Sequence, residues 1–288
     1  MCVALALITG ASTGIGRAST LRLAAKGWTV LAGVRDPVAG ERLLAEAAPP
    51  GKVIPLQLEV TDSLQIVQAV ARVEQESAQG RASVAGGLDA LVNNAGIGVG
   101  GPLELISQED LRRQFDVNVL AQVAVTQALL PALRRAQGRI VFVSSIGGRV
   151  AMAFTAPYAA SKHALEAFGD ALRVELRTSN IQVALVEPGS VATPIWDKAR
   201  ADAEGVSIPP ELHAQYGKVP AAMSKVLADT ARRGVAPELV AETIERALAA
   251  RRMKSRYVVG RDAKAMLIAK RLLPDHVFDM VARRALGV

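Results

Sequence analysis

The sequence predicts a doubly wound α/β protein of one domain: a seven-stranded parallel sheet with helices on both faces and a helical C-terminal extension. Three observations carry this. Seven short, continuously apolar runs of strand length recur along the chain, helix-length amphipathic stretches separate them, and a glycine-rich turn follows the first run directly. Apolar runs that do not alternate with polar residues belong to a parallel sheet covered on both faces.

The predicted strands, in order, are 3–8 (VALALI), 28–34 (WTVLAGV), 53–58 (VIPLQL), 88–92 (LDALV), 139–143 (RIVFV), 181–186 (IQVALV) and 256–259 (RYVV). Among the helical stretches, 14–26 opens on the glycine turn. Residues 62–79 place Leu64, Val67, Val70 and Val73 on one stripe, and 157–178 place Ala160, Ala164, Phe168, Leu172 and Leu176 on another. Residues 194–235 break the rhythm. They hold no strand signal, contain Pro194, Pro209, Pro210 and Pro220, and read as a substrate lid, because a connection that long inside a compact domain is usually functional. Seven strands in 260 residues leave no room for a second domain, so the organisation is a catalytic domain at 1–260, lid included, and a basic helical extension at 261–288.

Charge sharpens that division. The chain has 288 residues, is half hydrophobic and carries a formal charge of +7. Residues 1–250 hold 24 basic and 24 acidic side chains, so the whole excess lies in 251–288. The domain is therefore not a basic nucleic-acid binder, and no nucleic-acid partner is expected. Cys2 is the one cysteine, and no Cys/His group has metal-ligand spacing, so neither a disulfide scaffold nor a structural metal site is expected. A reducing, cytoplasmic setting fits. The opening MCVALALI lacks a positively charged start and reads as a buried strand rather than a signal peptide.

The turn after the first strand runs Thr9-Gly10-Ala11-Ser12-Thr13-Gly14-Ile15-Gly16-Arg17. Glycines at a strand-to-helix junction permit a tight turn and close approach of a pyrophosphate, whose charge meets the free N–H groups of the helix start. This is the Rossmann-type context for a dinucleotide. The same residues spell a GxSxG motif, the nucleophile elbow of α/β hydrolases, with Ser12 as its serine. Only eight residues precede Gly10 to build an oxyanion loop, and His163, His213 and His276 sit in no recognisable setting, so the hydrolase reading ranks last. At the end of the second strand Val34 stands where an NAD enzyme places an acid against the ribose 2′-hydroxyl. Arg35 follows and can pair with a 2′-phosphate, which favours NADP(H) over NAD(H).

Further along come Asn93-Asn94-Ala95-Gly96 at a strand end, Asn118 in a helix, Ser144-Ser145 after the fifth strand, and Tyr158-Ala-Ala-Ser-Lys162. Residues i and i+4 share a helix face, so the Lys162 ammonium lies near the Tyr158 phenol. A phenol is a weak base at neutral pH, and a neighbouring cation is expected to lower its pKa.

Taken together these motifs make the chain resemble the short-chain dehydrogenase/reductase family from about Ala4 to Gly260. The stretches Ala95–Leu103 and Val186-Glu187-Pro188-Gly189 resemble the branch that acts on retinoids, steroids and related hydroxy compounds. The resemblance implies that Tyr158 exchanges a proton with the substrate oxygen and that Lys162 lowers its pKa and binds ribose hydroxyls. It implies further that Ser145 orients the substrate oxygen and that Asn118 holds a water linking Lys162 to solvent. Gly10, Ser12, Thr13, Gly14, Ile15, Gly16, Arg35, Glu59, Val60, Asn94, Ala95 and Gly96 would hold the nucleotide's adenosine and phosphates. Tyr158, Lys162, Pro188, Gly189, Val191 and Thr193 would hold the nicotinamide end. Glu59-Val60 replaces the family's usual Asp-Val, so the adenine contact rests on a side chain one methylene longer.

Ser144 would point to the other side of its strand. His163 reads as a helix-surface residue, and Arg134, Arg135 and Arg139 as a solvated helix end. Met152, Phe154 and Trp196 flank the inferred pocket, which points to an apolar alcohol or carbonyl substrate of steroid, retinoid or long-chain type and to an NADP(H)- or NAD(H)-dependent oxidoreductase needing no metal. The alternative is a non-catalytic NADP-binding sensor on the same fold. In the tail, 263–273 and 275–285 read as two amphipathic helices that either pack over the substrate end or lie on an anionic membrane. A homo-oligomer is expected, with helices at about 105–135 and 157–178 pairing across a two-fold.

Overall fold

The computed structural model describes residues 4–78, 86–197 and 208–286. Its seven strands are β1 (Leu5–Ile8), β2 (Thr29–Val34), β3 (Lys52–Gln57), β4 (Ala90–Asn93), β5 (Arg139–Val143), β6 (Gln182–Pro188) and β7 (Arg256–Val259). All neighbours are parallel, in the order β3-β2-β1-β4-β5-β6-β7. The order reverses between β1 and β4, and the crevice beyond their carboxyl ends is where such a sheet binds its ligand.

The helices are α1 (Gly14–Ala25), α2 (Pro37–Glu46), α3 (Ser63–Glu76), α4 (Gln108–Phe115), α5 (Ala121–Ala136), α6 (Ala156–Glu175), α7 (Val219–Arg233), α8 (Pro237–Ala249), α9 (Arg261–Leu272) and α10 (Asp275–Leu286). A π turn at Asp116–Leu120 joins α4 to α5, so Gln108–Ala136 is one continuous helix of 29 residues. By length and composition it could cross a membrane, yet half of its apolar window is buried within the protein, as in a core helix. Capping explains two of the helix starts. The Asp62 carboxylate accepts the N–H groups of Leu64 and Gln65 at α3, and Asp36 accepts that of Val38 at α2, where Pro37 sets the first turn.

Alternate strand residues serve opposite faces. Leu5 and Leu7 join Val125, Leu129, Leu133, Phe142 and Leu165 on the side of α5 and α6, whereas Ala6 and Ile8 join Leu23, Val240 and Ile244 on the side of α1 and α8. Each fully buried Leu or Ile contributes about 1.5–3 kcal/mol by removal from water.

Two predicted helix stripes need correction. On α3 the buried residues are Ile66, Ala69, Val73 and Glu76, while Leu64 and Val67 are 72% and 64% exposed. On α6 the inner face carries Ser161, Lys162, Leu165, Glu166 and Gly169, and Phe168 lies outside at 39% exposure. Arg139 is corrected as well. It opens β5, and its guanidinium donates to the carbonyls of Ala247 and Leu248 at the end of α8.

Within the predicted lid, short turns at Pro210–Leu212 and His213–Tyr216 lead into α7; residues 198–207 lie outside the described residues, as does Cys2. A bridge between Val191 and Val235 closes the base of the lid. Helix α7 lays Val219 and Met223 against Phe154 and Tyr216, and α10 packs on α7. The extension thus covers the lid, with Ile268, Leu272, Met280 and Val281 left exposed.

Candidate active site

The site begins at the switch point. Gly10 has φ +63°, and a Cβ there would stand 2.9 Å from the Ala95 Cα, so only glycine lets β1 turn this close to the β4 loop. At Gly16 a Cβ would collide with the Gly10 carbonyl, which brings α1 close against the turn. The buried Thr9 holds the two strand ends together. Its Oγ1 accepts the N–H groups of Asn94 and Ala95, both at 3.0 Å, while the Asn94 amide donates back to the Thr9 and Gly10 carbonyls at 3.0 Å. Helix α1 starts with no side-chain cap and no acid in its first turn, leaving its N–H groups and positive dipole end available to an anion.

Beside this turn Arg35 projects from the end of β2 at 66% side-chain exposure, with the Glu59 carboxylate 3.9 Å away. Glu59 Oε1 also accepts the N–H and hydroxyl of Thr61. The extra methylene therefore carries this carboxylate to Arg35 and Thr61.

The next wall is set by the long helix. Gln114, Asn118 and Gln122 follow one another at four-residue spacing and pin the loop after β4. Gln114 Oε1 accepts the Val99 N–H at 2.6 Å, Asn118 Oδ1 accepts that of Ile97 at 2.8 Å, and Gln122 donates to the Ala95 carbonyl at 2.7 Å. Asn118 Nδ2 further donates to the Ile97 carbonyl at 2.9 Å and to Ser161 Oγ at 3.2 Å. Asn118 sits in the π turn and is fully buried. A Cβ on Gly96 would lie 3.3 Å from Asn118 Oδ1 and 3.8 Å from Lys162 Nζ, so the bare Gly96 leaves a small space that both side chains face.

Ser145 follows β5, its Oγ accepting the Gly147 N–H at 3.1 Å. Across from it, α6 presents Tyr158 and, one turn on, Lys162. The ammonium donates to the Val143 carbonyl at 2.9 Å and lies 5.8 Å from the centroid of the Tyr158 ring. Burial pushes the Tyr158 phenol up, while its hydrogen bond with Ser145 pulls the other way. Burial also pushes Lys162 down to about 8, with Glu166 opposing. The phenol is thus raised by desolvation, not lowered as the neighbouring cation led one to expect, and the group that opposes the rise is Ser145.

Trp196 meets Tyr158 edge to face, ring centroids 6.4 Å apart, and its indole N–H donates to the Val191 carbonyl at 2.7 Å. These groups line one cleft of about 330 Å³. Of the residues anticipated from the sequence, Gly10, Ser12, Thr13, Gly14, Ile15, Arg35, Glu59, Val60, Asn94, Ala95, Gly96, Ser145, Tyr158, Lys162, Pro188, Gly189, Val191, Thr193 and Trp196 all face it. Gly16 and Asn118 stand behind its wall.

Met152 and Phe154 do not line it. Phe154 is instead the floor on which α7 packs, held at φ +64° with its carbonyl bonded to the Gly101 N–H at 2.8 Å. Among the described residues no histidine lines the cleft, and His163 is exposed on α6 with its ring against the Ala159 carbonyl. Ser12 therefore has no histidine beside it among the described residues, which goes against the hydrolase reading. Thr9, Gln114 and Gln122 were missed, because each holds backbone groups of the loop after β4, which no sequence pattern reports.

Fold and site together define a class: dinucleotide-type oxidoreductases in which a Tyr–Lys pair on one helix faces a serine at a strand end. A family described as short chain dehydrogenase matches residues 4–204. The chain is 34% identical over 281 residues to the NADPH-dependent 3-dehydrocapnine reductase of Ornithobacterium rhinotracheale, covering 96% of this chain and 95% of that one. It is 35% identical over 289 residues to retinol dehydrogenase 5 of Mus musculus, covering 95% and 86%. Among solved structures, a short-chain dehydrogenase/reductase from Burkholderia phymatum in complex with NAD superposes with a TM-score of 0.78 at 27% identity, covering 94% and 93%. The chain belongs to the short-chain dehydrogenase/reductase family, and it is an oxidoreductase.

Proposed function

We propose that the protein transfers hydride between the nicotinamide of NADP(H) and the hydroxyl or carbonyl group of an apolar substrate of steroid, retinoid or long-chain type, with Tyr158 as general acid/base. The observation that carries this is the Tyr158 phenol itself, bonded to Ser145, set near the Lys162 ammonium and walled by Trp196. The cleft suits a dinucleotide: a glycine cradle that any Cβ would fill, beside a helix N-terminus free of acids. NADP(H) is favoured by Arg35 beyond Val34 and by the NADPH-dependent relative, although the Burkholderia structure carries NAD.

When bound, the nicotinamide supplies or accepts the hydride. Ser145 and Tyr158 would both bond the substrate oxygen, orienting it and supporting charge that develops there. A phenol raised by burial remains protonated at neutral pH and is suited to donate to that oxygen in reduction; Lys162 favours the phenolate that results. Asn118 Oδ1 and Lys162 Nζ face the space beside Gly96, where a proton could reach the ammonium. The apolar substrate class is supported by Ile97, Val117, Ile195 and Trp196 along the cleft and by the retinol dehydrogenase relative.

Tyr158→Phe tests the reading. Turnover should fall by 10³-fold or so, in the range general acid–base catalysis supplies, with NADPH binding retained. Full turnover by the variant would overturn it, and nucleotide binding by the wild type with no turnover on any alcohol or carbonyl would favour a sensor. A homo-oligomer is proposed as well, since Leu120 and Phe168 stand exposed at 58% and 39% on the two helices expected to pair; light scattering decides it.

A further inference from the structure

Behind Ser145, Tyr158 and Lys162, away from the cleft, lies a second group of charges to which the mechanism gives no task. Glu166 stands one turn beyond Lys162 on α6 and is 5% exposed, and Glu187 stands in β6 at 0%. A single N–H contacts both carboxylates: Arg256 Nε lies 2.9 Å from Glu166 Oε2 and 3.0 Å from Glu187 Oε1. The two acids are therefore pressed together against one donor. Arg256 sends its other arm to Asp170 Oδ2 at 2.6 Å, and Arg149 reaches the same Glu187 Oε1 at 3.2 Å. The opposite oxygens, Glu166 Oε1 and Glu187 Oε2, are buried and meet no donor, and Ser144 Oγ beside them has no partner either. Ser144 Oγ and Glu166 Cγ both come within 2.9 Å of the point where a Gly148 Cβ would stand, so hydroxyl and carboxylate stem share one small space.

Two ionised carboxylates in this position would be costly. Each has lost its water, each lacks a donor on one oxygen, and the like charges repel. The surrounding cations are few. Arg256 divides its charge among Glu166, Glu187 and Asp170, which Arg173 also meets, Arg149 reaches Glu187, and the Lys162 ammonium lies on the cleft side of Glu166, so no donor meets the two outer carboxylate oxygens.

We propose that Glu166 and Glu187 hold one proton between them, carried on Glu187, so that the pair shows a single negative charge, on Glu166, to the back of Lys162. Burial and the nearness of Glu166 both push the Glu187 carboxyl up, against Arg149 and Arg256. Glu166 is also the group that raises Lys162 against the effect of its burial. Glu166 is thus a positioning residue: it acts through Lys162, keeping the ammonium charged where desolvation alone would strip it. The shared proton does not depend on the proposed reaction; its consequence for turnover does.

Glutamine is the neutral isostere of a protonated acid, so the two acids should respond differently to it. Glu187→Gln should unfold at the wild-type temperature and leave the Lys162 titration in place, read from the side-chain nitrogen resonance of labelled lysine. Glu166→Gln should lower that titration by about one unit, and Glu166→Asp should restore it. Infrared difference spectra should show a protonated carboxyl in the wild type at neutral pH that is absent from Glu187→Gln and persists in Glu76→Gln, which removes a different buried acid. No such band in the wild type overturns the proposal, as does a Glu187→Gln shift equal to that of Glu166→Gln. Should Glu166→Gln fail to fold, the infrared comparison on Glu187→Gln still decides where the proton lies. With turnover in hand, Glu166→Gln should move the basic limb of the pH profile down by the same amount, and an unmoved limb sinks the coupling to Lys162.

Discussion

Asp262 Oδ2 accepts the backbone N–H of Ser190 at 2.7 Å, so the first turn of α9 is tied to the Pro188–Gly189 turn at the nicotinamide end of the cleft. The contact is close on the glycine side too, where a Cβ on Gly189 would lie 2.5 Å from the same oxygen. The extension beyond β7 therefore buttresses the site as well as covering the lid. Asp262→Ala should raise KM for the nucleotide several-fold while lowering stability by about 1 kcal/mol, since the bond is charge-assisted but exposed. Gly189→Ala should do worse alone than in the Gly189→Ala/Asp262→Ala double variant, where the clash is relieved. Additive effects in that cycle would show that the two residues do not press on each other.

Thr9 is the hinge pin of the switch point. Thr9→Val keeps shape but leaves the Asn94 and Ala95 N–H groups unpaired, at about 1–3 kcal/mol each, which for a chain of this size is roughly 5–15 °C in the unfolding temperature. Thr9→Ser should stay near the wild type. Thermal unfolding of the three proteins checks this, and a Thr9→Val protein as stable as Thr9→Ser would contradict it.

How far such features were legible depended on what each helix buries. The strands were readable because a two-sided sheet leaves little room for polar residues, as in LALI and VALV of β1 and β6. On α6 the inner face carries Ser161, Lys162 and Glu166 beside Leu165, so Ala160 and Phe168 of the apolar stripe lie outside, and the stripe turns into the core only at Leu172 and Leu176. On α3 two stripes of equal period compete, and packing against α5 selects Ile66, Ala69 and Val73. The motif residues lining the cleft were visible from spacing, but the side chains that position them were not. Gln114 and Gln122 bond to backbone, and no periodicity reports a backbone partner.

The depressed Lys162 has a consequence for stability that can be read in sign. Its folded pKa, about 8, lies below the ordinary lysine value of 10.5, so between these values the unfolded chain binds more protons and stability rises with pH. Below about 8 the full cost of the buried ammonium is present. Lys162→Met should therefore be inactive yet more stable than the wild type at pH 7, by about 1–2 kcal/mol after subtracting the lost bond to the Val143 carbonyl. The gap should close as pH passes from 8 toward 10.5. Denaturant unfolding across this range measures it, and a gap independent of pH would mean that Lys162 is not the group responsible.

Arg35 is the remaining lever, on nucleotide choice. Its guanidinium is exposed and shares the end of β2 with Glu59, whose carboxylate at 3.9 Å competes with any 2′-phosphate for the same charge. Arg35→Ala should weaken NADPH about tenfold, the equivalent of about 1.4 kcal/mol, and leave NADH unchanged, because only the 2′-phosphate differs between them. Glu59→Gln should shift the same ratio the other way by removing the competitor, with Thr61 still able to bond the amide oxygen. The NADPH gain should shrink in high salt, as expected for an exposed pair within a screening length of solvent ions. Isothermal titration of both nucleotides against the three proteins gives the ratios directly. Equal losses for NADPH and NADH in Arg35→Ala would assign the arginine to the adenosine common to both and return the choice of nucleotide to Val34.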